Sequence, residues 1–257
     1  MGIKIIVCVK SVVTNAPDGR VVRSSNSCEL NPYDRPPLDI ALRLREELGG
    51  TITALSMGPE PCAFTLNEAM AMGADSGILL CDPAFAGSDT LATSSALAGA
   101  IKKLAPFDLV LFGDRSSDSD TGQVGPQTSV HLNLPLVTNA HSLEPKEDYL
   151  LVERKVDGFL ENYKVFFPAA LTIHPGAVQP RDVGLFEIKS AYGDKDVKYW
   201  DLSDLGLSSD SVGQAGSATR LLTFSCMESA RKCEFLSGLA EEQADQIVSR
   251  LSELGMV

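Results

Sequence analysis

Between residues 3 and 132 short apolar runs alternate with longer stretches that carry helix signals, and this alternation limits the available folds more than any other feature of the chain. The runs are 3–9, 52–56, 78–81 and 108–112. Each is only strand length and is bounded by turn residues, so each reads as a strand buried on both faces. The first intervening helix opens after Asn31, Pro32, Tyr33 and Asp34, with Pro36 and Pro37 in its first turn, and ends at Gly49 and Gly50. A second spans about 60–72 and closes at Gly73, and a third, near 90–104, is capped by Ser88 or Asp89. Strands and helices in this order predict an α/β fold: a doubly wound, mostly parallel sheet with helices on both faces. Such a sheet gathers the loops 10–15, 31–34, 57–60 and 113–124 along its carboxyl edge, where open α/β sheets bind ligands.

The last of these loops is the most informative. It runs through Gly113, Asp114, Arg115, Ser116, Ser117, Asp118, Ser119, Asp120, Thr121, Gly122, Gln123 and Val124, and a fourth helix follows. A polar loop that leads from a buried strand to a helix start offers amide N–H groups and the positive end of the helix dipole to an anion. Asp118, Ser119, Asp120 and Thr121 can either cap that helix or bond a ribose. The spacing matches neither GxxxxGK[ST] nor GxGxxG, so a plain capped loop is the competing reading.

Beyond Pro135 the pattern changes. Residues 137–140, 149–155, 159–166 and 169–173 read as short strands, with a hairpin turn at Asp157 and Gly158. From about 174 to 218 the chain reads as irregular, rich in Gly, Ser, Asp and Pro, and suited to wrapping a partner. Residues 240–254 place Ala244, Ile247, Val248, Leu251 and Leu254 on one face of an amphipathic helix. The expected division is a nucleotide-binding α/β domain with a β-hairpin extension over 1–173, then a recognition loop, an extended arm and a C-terminal helix over 174–257.

A net charge of −12 argues against a nucleic-acid partner, which needs a basic face. Six cysteines occur without a CxxC pair and three histidines without ligand spacing, so neither a disulfide framework nor a metal site is expected. The opening apolar run is too short and wrongly flanked for a secretory signal, and no run reaches the roughly 20 residues that span a bilayer. The chain is expected in the cytoplasm with its thiols reduced.

Several segments, taken in order, resemble the beta subunits of electron transfer flavoproteins. They are 5–10 (Ile-Ile-Val-Cys-Val-Lys), 30–34 (Leu-Asn-Pro-Tyr-Asp), 56–59 (Ser-Met-Gly-Pro), 69–75, 118–125, 152–158 and 167–172. The resemblance implies a heterodimer with an alpha subunit that holds most of a redox-active FAD, while this chain binds a second adenine nucleotide. It places nucleotide contacts on Cys8 through its backbone, on Asn31 to Asp34, on Met57 and on Gly113 to Val124. Residues 82–99 and 120–126 are similar to the electron-bifurcating members, which implies FAD at the beta site, reduced by hydride from NADH, with Asp89, Thr90 and Thr93 near the flavin. AMP at that site is the alternative. An N-cap and helix-face hydroxyls are the competing reading of those three residues. Arg115 is the candidate donor to a flavin nitrogen or a diphosphate. Residues 181–189 lie where the family's recognition loop for an acyl-CoA or other flavin dehydrogenase falls, with Leu185 as anchor and Phe186 and Ile188 beside it. A stand-alone nucleotide-binding regulatory module is the rival reading. An ATP-dependent ligase ranks last, because its SGGxDS loop is missing after the first strand.

Overall fold

The computed structural model describes residues 2–13, 28–193, 196–220, 222–223, 233 and 235–256. Strand β1 (Ile3–Cys8) leads into β2 (Ser11–Val13), which pairs antiparallel with β3 (Cys28–Leu30) in a small separate ribbon. From sequence, residues 11–30 read as polar and turn-rich, with a tight turn at Asp18 and Gly19; that turn lies outside the described residues. A 3-10 turn at Pro32–Asp34 precedes α1 (Arg35–Leu48), and prolines stand in its first turn, where their missing amides cost no helical bond. Then follow β4 (Gly50–Met57), α2 (Ala63–Met72), β5 (Ser76–Leu80), α3 (Thr90–Lys103), β6 (Leu109–Gly113) and α4 (Val124–Leu132). The second half adds β7 (Leu136–Pro145), β8 (Tyr149–Val156), β9 (Phe159–Phe166) and β10 (Ala169–Ile173). The chain continues through α5 (Leu185–Gly193), β11 (Val197–Trp200), α6 (Leu202–Leu205), α7 (Gly213–Gly216) and α8 (Ala240–Glu253). Two compact units result, Met1–Leu222 and Thr223–Val257, and α8 belongs to the second.

All strands but the small ribbon join one nine-stranded sheet in the order β11-β5-β4-β1-β6-β10-β7-β8-β9. The first seven in that order run parallel, and β8 and β9 complete an antiparallel meander with β7. The doubly wound, mostly parallel sheet expected from the alternation is therefore present, with the antiparallel extension at one end. The β8–β9 turn has both Asp157 (φ 48) and Gly158 (φ 79) left-handed, as a two-residue hairpin requires.

Alternation along β1 divides the core between the two faces. Ile3, Ile5 and Val7 pack with Leu38 and Leu42 of α1 and Leu66 of α2. Ile6 and Cys8 pack with Ala96 and Ile101 of α3 and with Phe112. Each fully buried aliphatic side chain contributes about 1.5–3 kcal/mol of transfer free energy, which selects this register over a one-residue slip.

The sequence reading of 174–218 as irregular holds for 174–184, but from Leu185 onward the structure differs, with α5, β11, α6 and α7 in place of an irregular arm. This stretch crosses the outer surface of α1 and α2 and then extends the sheet. Arg181 donates through Nε to Asp39 Oδ1 (2.8 Å) and through Nη1 to Glu46 Oε1 (2.6 Å), both on α1. Tyr192 of α5 packs its ring 5.7 Å from that of Phe64 on α2. Strand β11 then pairs parallel with β5, from Val197 opposite Gly77 to Trp200 opposite Leu80.

Candidate functional site

The strand order reverses between β1 and β6. From β1 the chain winds outward through β4 and β5, then crosses back to place β6 on the other side of β1. The switch point therefore falls at the carboxyl ends of β1 and β6, the position at which doubly wound sheets take ligands. Three segments converge there: residues 8–11 after β1, the turn 31–34, and the loop 113–123 after β6.

Asn31 and Asp34 knit them together. Asn31 Nδ2 donates to the Arg115 carbonyl (2.9 Å), and its Oδ1 accepts from the Ser117 amide (3.2 Å). Its own amide donates to the Lys10 carbonyl (3.0 Å). The Asp34 carboxylate is buried and accepts from the Lys10 amide (2.7 Å). Burial pushes the Asp34 carboxyl up to about 7, although the donors Lys10, Asn31 and Gly113 work in the opposite direction. Gly113 is required where it stands, because a Cβ there would lie 2.2 Å from Asp34 Oδ1 and 2.6 Å from the Tyr33 carbonyl.

The loop itself is polar and open. Residues 117–123 are exposed, and Ser116 alone is buried. Asp120 (φ 51) and Gly122 (φ 61) are left-handed and bend it back towards α4. Lys10 Nζ reaches into it, donating to Asp118 Oδ1 (2.5 Å), Ser119 Oγ (3.2 Å) and Ser116 Oγ (3.3 Å). Arg115 donates to Asp114 (3.2 Å) and Asp120 (3.3 Å) and lies 5.5 Å over the Tyr33 ring. Helix α4 starts close to the sheet because Gly125 admits Thr172 and Phe112, whose side chains would lie 3.0 and 3.1 Å from a Cβ. The positive end of the helix therefore sits beside the loop. On the far side, Thr138 and Thr172 join Arg115, Asp120 and Thr121 around a hollow of about 260 Å³.

Of the residues anticipated from sequence, Asn31 to Asp34 and Gly113 to Val124 thus come together around Lys10. Of the remaining ones, all but Leu185 lie at the same end of the sheet. Cys8 ends β1 with its side chain in the α3-side core, and burial pushes its thiol up, away from the reactive thiolate. Met57 ends the neighbouring strand β4 at the same edge. Thr90 reaches the loop directly, its Oγ1 lying 3.0 Å from Gln123 Oε1. The Asp89 carboxylate caps α3 through the Ala92 amide (3.0 Å) and also accepts the Thr219 amide (2.9 Å) and hydroxyl (3.0 Å). Thr93 follows one turn into α3. Leu185 lies elsewhere, at the first position of α5 rather than in a loop, 84% exposed with Phe186 at 87%.

Lys10, Thr138 and Thr172 escaped the sequence reading. The signal for Lys10 was its place directly after the first strand, at the edge where the loops gather.

The donor set suits a phosphate-bearing nucleotide. It supplies one ammonium, one guanidinium, a helix N-terminus, and serine and threonine hydroxyls that can bond a ribose. Two buried hydroxyls at this edge, Ser11 Oγ and Ser56 Oγ, have no hydrogen-bond partner among the described residues. No group of three or more His, Cys, Asp or Glu side chains among the described residues could hold a metal ion.

Sheet order, switch point and polar loop define an α/β protein of the doubly wound class. Residues 18–205 match the family model described as the electron transfer flavoprotein domain. The electron transfer flavoprotein subunit beta of Thermoanaerobacterium thermosaccharolyticum is 38% identical across 90% of this chain and 89% of its own. The caffeyl-CoA reductase-Etf complex subunit CarD of Acetobacterium woodii is 34% identical, and the acryloyl-CoA reductase electron transfer subunit gamma of Anaerotignum propionicum 35%, each across 97% of this chain and 98% of its own. The chain belongs to the electron transfer flavoprotein family, among its beta subunits.

Proposed function

We propose that this chain is the beta subunit of a heterodimeric electron transfer flavoprotein that carries electrons between flavin dehydrogenases and an acceptor. An alpha subunit would hold most of a redox-active FAD, and the switch point between β1 and β6 would hold a second adenine nucleotide. One observation carries this reading: the turn 31–34 and the loop 113–124 converge on Lys10 at the switch point of a sheet whose sequence belongs to this family. Asn31 fixes the loop's start, Asp34 fixes the β1–β6 junction, and the α4 N-terminus with Arg115 faces the phosphates. Ser119 and Thr121 supply ribose-bonding hydroxyls.

The finer reading is a bifurcating protein with FAD at the beta site, a flavin that would take hydride from NADH. Its support is the likeness of 82–99 and 120–126 to bifurcating members, and the hydrogen-bonded approach of Thr90 to the loop at Gln123. AMP at the same site is the alternative, since ribose and phosphate contacts serve both. Relatives named as parts of caffeyl-CoA and acryloyl-CoA reductase complexes support a CoA-ester flavoenzyme as partner. Leu185 and Phe186 would meet it, and the arm within 174–218 and the C-terminal helix α8 would engage the alpha subunit. No described helix is long and apolar enough to cross a membrane, and we place the complex in the cytoplasm.

Co-expression with the alpha subunit, then denaturation and quantitation of released flavin and AMP, tests the reading. Two FAD per heterodimer fits the bifurcating form, and one FAD with one AMP fits the alternative. A colourless, stable monomer that binds ATP would instead establish a stand-alone regulatory module.

A further inference from the structure

At the switch point, among the described residues, Asp114, Asp118 and Asp120 stand around Lys10 and Arg115, and these carboxylates of the loop meet both cations. The three N–H donors of the Lys10 ammonium already go to Asp118 (2.5 Å), Ser119 (3.2 Å) and Ser116 (3.3 Å), so a phosphate bound there displaces one of them, and the carboxylate is the one that repels it. The Lys10–Asp118 pair is also easily broken. The two side chains are 37% and 20% exposed, and pairs of that kind are worth about 1 kcal/mol or less. A phosphate brings about two charges and several acceptor oxygens, so it makes the stronger partner for the same ammonium. The loop around Asp118 has no apolar anchor from Ser116 to Gln123 and is exposed from 117 onward, so its movement breaks little packing.

We propose that Lys10 is the cation that takes the nucleotide's phosphate, and that Asp118 is an internal carboxylate holding that place until nucleotide arrives. Binding then exchanges one anion for the other and reshapes the loop. This rests on the nucleotide-binding reading above and is indifferent to whether the phosphate belongs to AMP or to FAD.

The test is equilibrium binding of AMP, FAD and phosphate-free adenosine to the full chain stripped of nucleotide, with thermal melting as the check on folding. Lys10→Met should weaken AMP and FAD about tenfold, the loss of one charge-assisted contact. Lys10→Arg should retain most of the affinity. Asp118→Asn should tighten both about fivefold by removing the competitor, and that gain should vanish in the Lys10→Met background. Adenosine should respond to none of these changes. Unchanged AMP and FAD affinity in Lys10→Met would overturn the proposal. So would weaker binding in Asp118→Asn, which would make Asp118 a direct ligand, or an adenosine response equal to that of AMP. If the wild-type chain binds none of the three, the nucleotide reading fails as well; binding that ignores Lys10 removes only the exchange.

Discussion

Asp34 joins the strand end, the turn and the loop after β6 through a single buried carboxyl, and its protonation has a measurable consequence. Its folded-state value of about 7 lies above that of an unfolded aspartate, so folding takes up a proton in between. Stability should fall as pH rises from about 4 towards 7 and change little with this group thereafter. The full effect is on the order of 4 kcal/mol. Chemical denaturation across that range should show the decline in the wild type and a flatter profile in Asp34→Asn; parallel profiles would remove Asp34 as the cause. Gly113 belongs to the same junction. Gly113→Ala must displace Asp34 or the Tyr33 carbonyl, so it should destabilise by about 1–3 kcal/mol and lower nucleotide occupancy in the purified protein. The residues of this centre were partly legible in sequence. Asn31 and the loop 113–124 stood out because turn chemistry and strand ends are local. Lys10 did not, because its partners Ser116, Asp118 and Ser119 lie more than a hundred residues away and only the fold brings them to it.

At the scale of elements, the first four strands and their helices were readable because each carries its own punctuation: prolines in the first turn of α1, Gly73 after α2, Asp89 before α3. The stretch after 174 has punctuation too, such as Asp201 and Gly206 around α6, but the elements it bounds are too short to carry a period. Strand β11 is four residues long, and what makes it a strand is the free edge of β5, which no local pattern reveals. The strap that leads to it hangs on a buried aspartate. Asp39 is fully buried and paired with Arg43 and Arg181; burial pushes its carboxyl up, but the Arg181 and Arg43 donors outweigh that and hold it below the usual range. Arg181→Ala removes one of two partners and should cost about 2 kcal/mol in denaturant midpoint experiments. Beyond that anchor Leu185 and Phe186 stand exposed on a short helix. Leu185→Ala should leave the melting temperature unchanged and weaken association with the partner dehydrogenase about tenfold or more. A drop in melting temperature with unaltered association would place Leu185 in the fold instead.

For the whole molecule, the fold class followed from the strand–helix alternation alone, whereas the sheet's full width did not. A nine-stranded layer with a meander at one end and a late strand at the other depends on contacts between distant parts of the chain. The unit Thr223–Val257 offers α8, whose Ile247 and Val248 are exposed, as is Leu254 directly after it. Removing residues from 223 onward should therefore spare the melting transition of the first unit and lower the yield of heterodimer on co-purification.

The late arrival of β11 also bears on how this protein is made. Leu202 donates its amide to Asp82 across 120 residues of chain, and until that stretch leaves the ribosome β5 is a bare edge with every outward amide and carbonyl unmatched. A nascent chain halted before Val197 would thus present a sticky margin to its neighbours. Chaperone capture or aggregation of stalled products should drop sharply once synthesis passes Trp200.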